Sequence, residues 1–205
     1  MPSIILASAS PSRKRLLEAA GVDAQIVISD VDEEDSIYLS MPPREMVVAL
    51  AIVKAHTVRE MIVGKGLVIA CDSTFEFEGM NLGKPLTAEI AKERARMLSG
   101  KSGYLHTGHC ILDTDRGVEV ADIATTKVNF SELTDQEIDD YVASGEPLNV
   151  AGGFTLDGLS SAFISSIDGD YTNVIGLSVP LLRQLTSQLG YPWHEITHQA
   201  IGVLA

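Results

Sequence analysis

The residues best placed to do chemistry lie in four separate stretches. The first is a turn after an opening apolar run, with Ser8, Ser10, Arg13, Lys14 and Arg15. Ser10 suits a helix N-cap and Pro11 the first helical position, so a helix starts here. Free backbone N–H groups at a helix start suit phosphate. Three cations in that first turn oppose the helix dipole, at about 0.3–1 kcal/mol each. An anionic ligand would account for them, and so would a solvated basic face. Arg13 is the candidate to point inward, while Lys14 and Arg15 suit solvent.

The second stretch is the acidic run Asp30, Asp32, Glu33, Glu34 and Asp35. Clustered carboxylates repel unless a cation or solvent relieves them. A solvated loop is one reading. The other is a Mg²⁺ site, because that ion takes one or two carboxylates plus phosphate oxygens. The third is Asp72, which follows the apolar run Leu67 to Cys71. A strand there would place Asp72 at its carboxyl end, where open α/β sheets gather ligands. It could serve as metal ligand or general base, or merely cap a turn. The fourth is Lys54, on the apolar stripe of a long helix. It must either snorkel to solvent or meet an anion.

Other motifs fail on spacing. Gly79 to Pro85 resembles a Walker A loop, but its glycines are one residue too close and Pro85 replaces the metal-binding hydroxyl. Gly100-Lys101-Ser102 fails too, because Ala95 stands where the first glycine is required. Lys84, beside Gly83, can still reach a phosphate as a point charge. His106, His109 and Cys110 give no closed tetrahedral zinc set.

The elements that must position these residues alternate between strands and helices. This pattern favours an α/β fold with mixed α+β character in a single domain over 1–205. Strands are expected at Ile4 to Leu6, Ala24 to Ile28, Leu67 to Cys71, Thr74 to Asn81 and Ala162 to Ile167. Tyr104 to Leu112 and Val118 to Phe130 read as a hairpin around a polar turn. Helices are expected from Ser10 to Gly21, from Pro42-Pro43 to about Ile62 (apolar stripe Val47, Leu50, Val58, Met61), and from Ala88 to Leu98. Another follows Thr134, where Thr134 and Glu137 form a capping-box pattern. The last two are expected over Val179 to Leu189 and Trp193 to Leu204.

Fifteen basic residues against 28 acidic ones give a formal net charge of −13. That argues against broad capture of nucleic acid or anionic membrane, which needs a basic surface. A small anion in a local basic pocket remains compatible with it. Two cysteines, Cys71 and Cys110, make no disulfide framework and read as buried thiols. The opening residues lack a signal peptide's charged region, and no apolar run is long enough to span a bilayer. A cytoplasmic protein is expected.

An ordered set of short motifs resembles the Maf family, the septum-formation-associated nucleoside triphosphate pyrophosphatases. The motifs run Leu6-Ala7-Ser8-Ala9-Ser10-Pro11-Ser12-Arg13, Asp32-Glu33, Leu50-Ala51-Ile52-Val53-Lys54-Ala55, Cys71-Asp72-Ser73-Thr74, Leu82-Gly83-Lys84-Pro85, Leu98-Ser99-Gly100, Thr107-Gly108 and Tyr171 to Leu177. Leu105 to His109 and Phe154 to Gly158 look most like the actinobacterial branch. The resemblance implies an elongated mixed sheet flanked by helices, with two lobes around a central cleft, similar to inosine-triphosphate pyrophosphatases. It also implies hydrolysis of a nucleoside triphosphate to monophosphate and pyrophosphate with Mg²⁺ or Mn²⁺, often in a homodimer. By similarity, Asp72 is the proton acceptor, and Glu33 and Asp72 serve the metal. Ser8, Arg13, Lys54 and Lys84 line the triphosphate site.

Three positions depart from the family pattern. Ser12 replaces the first arginine of an Arg-Arg pair, Asp157 replaces a glutamine, and Gly103 replaces a histidine. If that glutamine touches substrate, Asp157 lies in the substrate site and could change base or metal preference. The alternative function is a non-enzymatic nucleotide-binding regulator of septum formation, acting through a protein partner. The joint presence of Arg13, Glu33, Lys54, Asp72 and Lys84 speaks against it, since a pure binder needs no base.

Overall fold

Residues 2–197 are described in a computed structural model. Strand β1 (Ser3–Leu6) leads through a short turn into helix α1 (Pro11–Ala19). Ser10 caps that helix by accepting a hydrogen bond from the Arg13 backbone N–H, with Pro11 in its first turn. Strand β2 shrinks to Gln25–Ile26, shorter than the expected Ala24 to Ile28. Both its residues are exposed, so burial gives the strand little reason to extend. The short helix α2 (Ser36–Leu39) is capped by Asp35 and precedes the long helix α3 (Pro43–Met61). Met61, expected on the apolar stripe of α3, is 53% exposed.

Strand β3 (Gly66–Phe77) is the spine of the sheet. It turns through Glu78 and Gly79, both at positive φ, into β4 (Met80–Leu82). Helix α4 (Ala88–Leu98) follows, then the hairpin β5 (Ser102–Asp113) and β6 (Val118–Phe130). Helix α5 (Asp135–Ala143) has the full capping box of Thr134 and Glu137. Three 3₁₀ turns occupy much of residues 146–163 before β7 (Ile164–Asp168). Helices α6 (Tyr171–Ile175), α7 (Val179–Gln188) and α8 (Trp193–Ile196) complete the described chain. The helix expected over Trp193 to Leu204 ends at Ile196, with Thr197 extended as its C-cap, and positions 198–204 of that expectation lie outside the described residues.

One seven-stranded sheet has the order β2-β1-β3-β5-β6-β7, with β4 paired to β3. Strand β1 is parallel to β2 and β3, and the remaining pairs are antiparallel. This is the expected α/β class with a mixed sheet. Strand β3 does not end at Asp72, contrary to the sequence reading. Its pairing with β1 stops at Leu6 opposite Ile69, but its pairing with β5 continues to Glu76 opposite Tyr104. Asp72 therefore lies mid-strand, just past the parallel segment. The ligand-gathering end belongs to β1.

Apolar side chains pack on both faces of this sheet. Beside the parallel strands, Leu6, Ile69 and Cys71 pack with Leu17 of α1 and Leu182 and Leu185 of α7. On the other face Val68, Ala70 and Cys110 pack with Ala51, Ala55 and Val58 of α3. Farther along β3, Phe75, Phe130 and Phe154 meet edge to face at 5.0–5.8 Å. A β-carbon at Gly103 would lie 2.4 Å from the Phe75 ring, so this aromatic packing needs glycine there.

Gly108 sets the seat of α3. A β-carbon there would come within 2.2 Å of the Val47 carbonyl oxygen. Gly108 also pairs directly with Asp72 across the sheet. Gly108→Ala would push α3, and Lys54 with it, off the strand. Overpacking of this kind costs roughly 1–3 kcal/mol. Chemical denaturation should show that loss together with reduced turnover.

His109 is fully buried and neutral. Its Nδ1 lies 3.0 Å from the Thr107 carbonyl, and its Nε2 accepts the Ser178 backbone N–H at 2.9 Å. Only the neutral ring with its proton on Nδ1 satisfies both. Burial pushes its pKa down to about 4. The folded state thus binds fewer protons than the unfolded one between about pH 4 and 6.5. Stability should fall as pH drops through that window, by roughly 3 kcal/mol in full. His109→Gln should flatten the fall, read as melting temperature against pH.

Candidate active site

The turn after β1, the acidic loop before α2, helix α3, mid-β3 and the segment around residues 149–157 enclose one cavity of about 540 Å³. Ser8, Arg13, Glu33, Lys54, Asp72, Lys84 and Asp157 all line it. The seven candidates named from the sequence therefore converge, although they span nearly 150 positions.

Arg13 is fixed before any ligand arrives. Its Nε donates to the Gly176 carbonyl at 2.8 Å, Nη1 to Ser8 Oγ at 3.1 Å, and Nη2 to Ser73 Oγ at 2.9 Å. These bonds tie α1 to β3 and to the end of α6. A guanidinium has five N–H donors, so two stay free for an anion. Ser73 was not singled out from the sequence. Its one signal in the sequence is its place in the motif Cys71-Asp72-Ser73-Thr74.

Lys54 does not snorkel. It is 5% exposed, and its Nζ donates to Glu33 Oε1 at 2.5 Å and to Asp72 Oδ1 at 2.6 Å. Lys84 stands 3.6 Å from the other Glu33 oxygen. Burial pushes the Asp72 carboxyl above the usual range, and repulsion from Glu33 adds to this. Lys54 and Arg13 pull it back only in part. Burial also raises Glu33, but Lys54, Lys84 and Arg13 together outweigh it and hold that carboxyl below its ordinary value. The two carboxylates are thus driven apart. Burial favours the neutral form of Asp72, while the neighbouring cations favour the charged form of Glu33.

Other candidates fall elsewhere. Asp30 reaches the cavity wall, but Asp32 binds the Glu34 backbone and Asp35 caps α2. Glu76 pairs with His106 at 2.9 Å. His106 and His109 engage different partners, so the histidines and Cys110 form no metal set. Burial raises the Cys71 thiol to about 11 and Cys110 to about 12, which excludes a thiolate nucleophile at neutral pH. Arg15, expected in solvent, is an exposed side chain but reaches Asp157 Oδ2 at 3.0 Å and Ser12 Oγ at 2.9 Å. The pair joins α1 to the loop around Asp157 at the cavity wall.

A family model described as Maf-like protein matches residues 3–189. The chain belongs to the Maf family. A nucleoside triphosphate pyrophosphatase of Streptomyces coelicolor is 50% identical over 188 residues, covering 91% of this chain and 90% of the relative. One of Streptomyces avermitilis is 49% identical over 189 residues, with the same coverage. One of a Synechococcus species is 46% identical over 190 residues, covering 90% and 98%. A solved nucleoside-triphosphatase, dITP/XTP pyrophosphatase of Mycobacterium abscessus, aligns at 16% identity over 78% of this chain and 93% of its own. Its TM-score of 0.37 is too low to establish a common fold. In this Maf-family chain no helix among the described residues is long and apolar enough to cross a membrane.

Proposed function

We propose that this chain is a nucleoside triphosphate pyrophosphatase, converting a nucleoside triphosphate and water to monophosphate and pyrophosphate. One observation carries the reading: three cations, Arg13, Lys54 and Lys84, converge with Asp72 and Glu33 in a single cavity. Relatives about half identical to the chain bear the name of that activity.

The chemistry follows from the charges. Arg13, Lys54 and Lys84 bind the triphosphate and offset the charge that grows on the departing pyrophosphate. Asp72 takes a proton from water as its oxygen attacks the α-phosphorus. The bond from that phosphorus to the α–β bridging oxygen breaks, and the bridging oxygen leaves with pyrophosphate. Ser8 and Ser73 hold Arg13 in place, so little reorganisation is needed at the moment of reaction. Phe154, Leu156 and Asp157 wall the cavity at a distance in sequence from these groups and are the proposed seat of the nucleoside.

The donor set fits a divalent ion. Two carboxylates with phosphate oxygens suit Mg²⁺ or Mn²⁺. No group of three or more metal-ligating side chains occurs among the described residues, so phosphates would complete the shell. Glu33 and Asp72 would hold the ion. Bound there, it supplies further neutralisation of the phosphate charge.

Hydrolysis in ¹⁸O-labelled water tests the point of attack. The label should appear in the monophosphate. Label in pyrophosphate would move the attack to the β-phosphorus and overturn this reading.

A further inference from the structure

Lys54 stands where a bridging cation would stand. Its ammonium contacts one oxygen of Glu33 and one of Asp72, at 2.5 and 2.6 Å. Mg²⁺ binds oxygens at about 2.0–2.1 Å, so an ion bridging those two oxygens would overlap the ammonium. The remaining Glu33 oxygen faces Lys84 at 3.6 Å. The lysine backbone cannot retreat, because Ala51 and Ala55 on either side of it pack α3 against the sheet. Only the side chain can swing.

We propose that Lys54 is a gate on the carboxylate pair: its ammonium occupies the pair until a triphosphate draws it away, so divalent ion and nucleotide enter together. The inference rests on the metal-dependent reading above and adds an order to it. A triphosphate brings several negative charges and gives both Lys54 and Lys84 new partners. The carboxylates it frees, with its own phosphate oxygens, then make a competent shell. Ion and nucleotide must each raise the affinity for the other by the same factor.

Manganese binding, followed by loss of the free-ion electron paramagnetic resonance signal, tests this without turnover. Thermal unfolding first establishes that each variant is folded. Without nucleotide, Lys54→Gln and Lys54→Met should bind Mn²⁺ at least tenfold more tightly than the unaltered protein. Gln keeps a donor for one carboxylate and guards against a folding failure of the Met variant. Lys54→Arg, which keeps the charge, should bind as weakly as the unaltered protein. Adding Glu33→Gln to Lys54→Gln should erase the gain. Equal Mn²⁺ affinity in the unaltered protein and both neutral variants would overturn the gate and leave the metal-dependent reading standing. If equilibrium dialysis finds no Mn²⁺ retained with any form of the protein, either alone or, beyond what nucleotide alone holds, with an uncleavable α,β-methylene triphosphate, the metal-dependent reading itself is overturned.

Discussion

Replacing Asp72 with Asn should lower turnover by about 10²–10⁴-fold, the usual contribution of a positioned general base. The variant should stay folded. Burial disfavours the ionised form of Asp72, so a neutral amide of the same shape relieves a cost. Lys54 keeps its contact with Glu33 at 2.5 Å, so its charge is not left unpaired. Steady-state kinetics beside thermal unfolding separates the two effects. A folded variant with near-normal turnover would remove Asp72 from the chemistry.

Replacing Arg13 should lower kcat/KM by about 10²–10³-fold, comparable to losing one aimed donor from a transition-state site. Arg13→Lys should fare little better than Arg13→Ala. The ammonium keeps the charge, but it cannot bond Gly176, Ser8 and Ser73 at once while still offering two donors to phosphate. Full activity in the lysine variant would show that a point charge suffices at this position.

Local chemistry made part of this molecule legible. Ser10 and Pro11 mark the start of α1, and Thr134 with Glu137 marks that of α5, because capping acts over a few residues. The polar turn at residues 113–117 marks the β5–β6 hairpin for the same reason. Lys54 stood out because an ammonium on an apolar stripe demands a partner. Its partners, however, lie 21 and 18 positions away, and only the sheet brings them together.

Nothing in its own residues marks that β3 runs on past Asp72: pairing with β5, which lies along the strand from Leu67 to Glu76, carries it there after β1 stops, and a pairing partner leaves no mark on the strand itself. The segment 146–163 escaped because short 3₁₀ turns have no hydrophobic period to follow. Arg15 is exposed as expected, and its contact with Asp157 has no local sign because Asp157 is 142 positions away. The joint convergence of the seven site residues was legible only through the order of their motifs.

The central claim is cleavage between the α- and β-phosphates in the cavity built around Asp72. Its most direct test is a panel of normal and modified nucleoside triphosphates, incubated with Mg²⁺ or Mn²⁺ and resolved by chromatography, for the unaltered protein and Asp72→Asn. The account predicts monophosphate and pyrophosphate in equal amounts, lost in the variant. Diphosphate and inorganic phosphate as products would place the attack at the γ-phosphorus and contradict it.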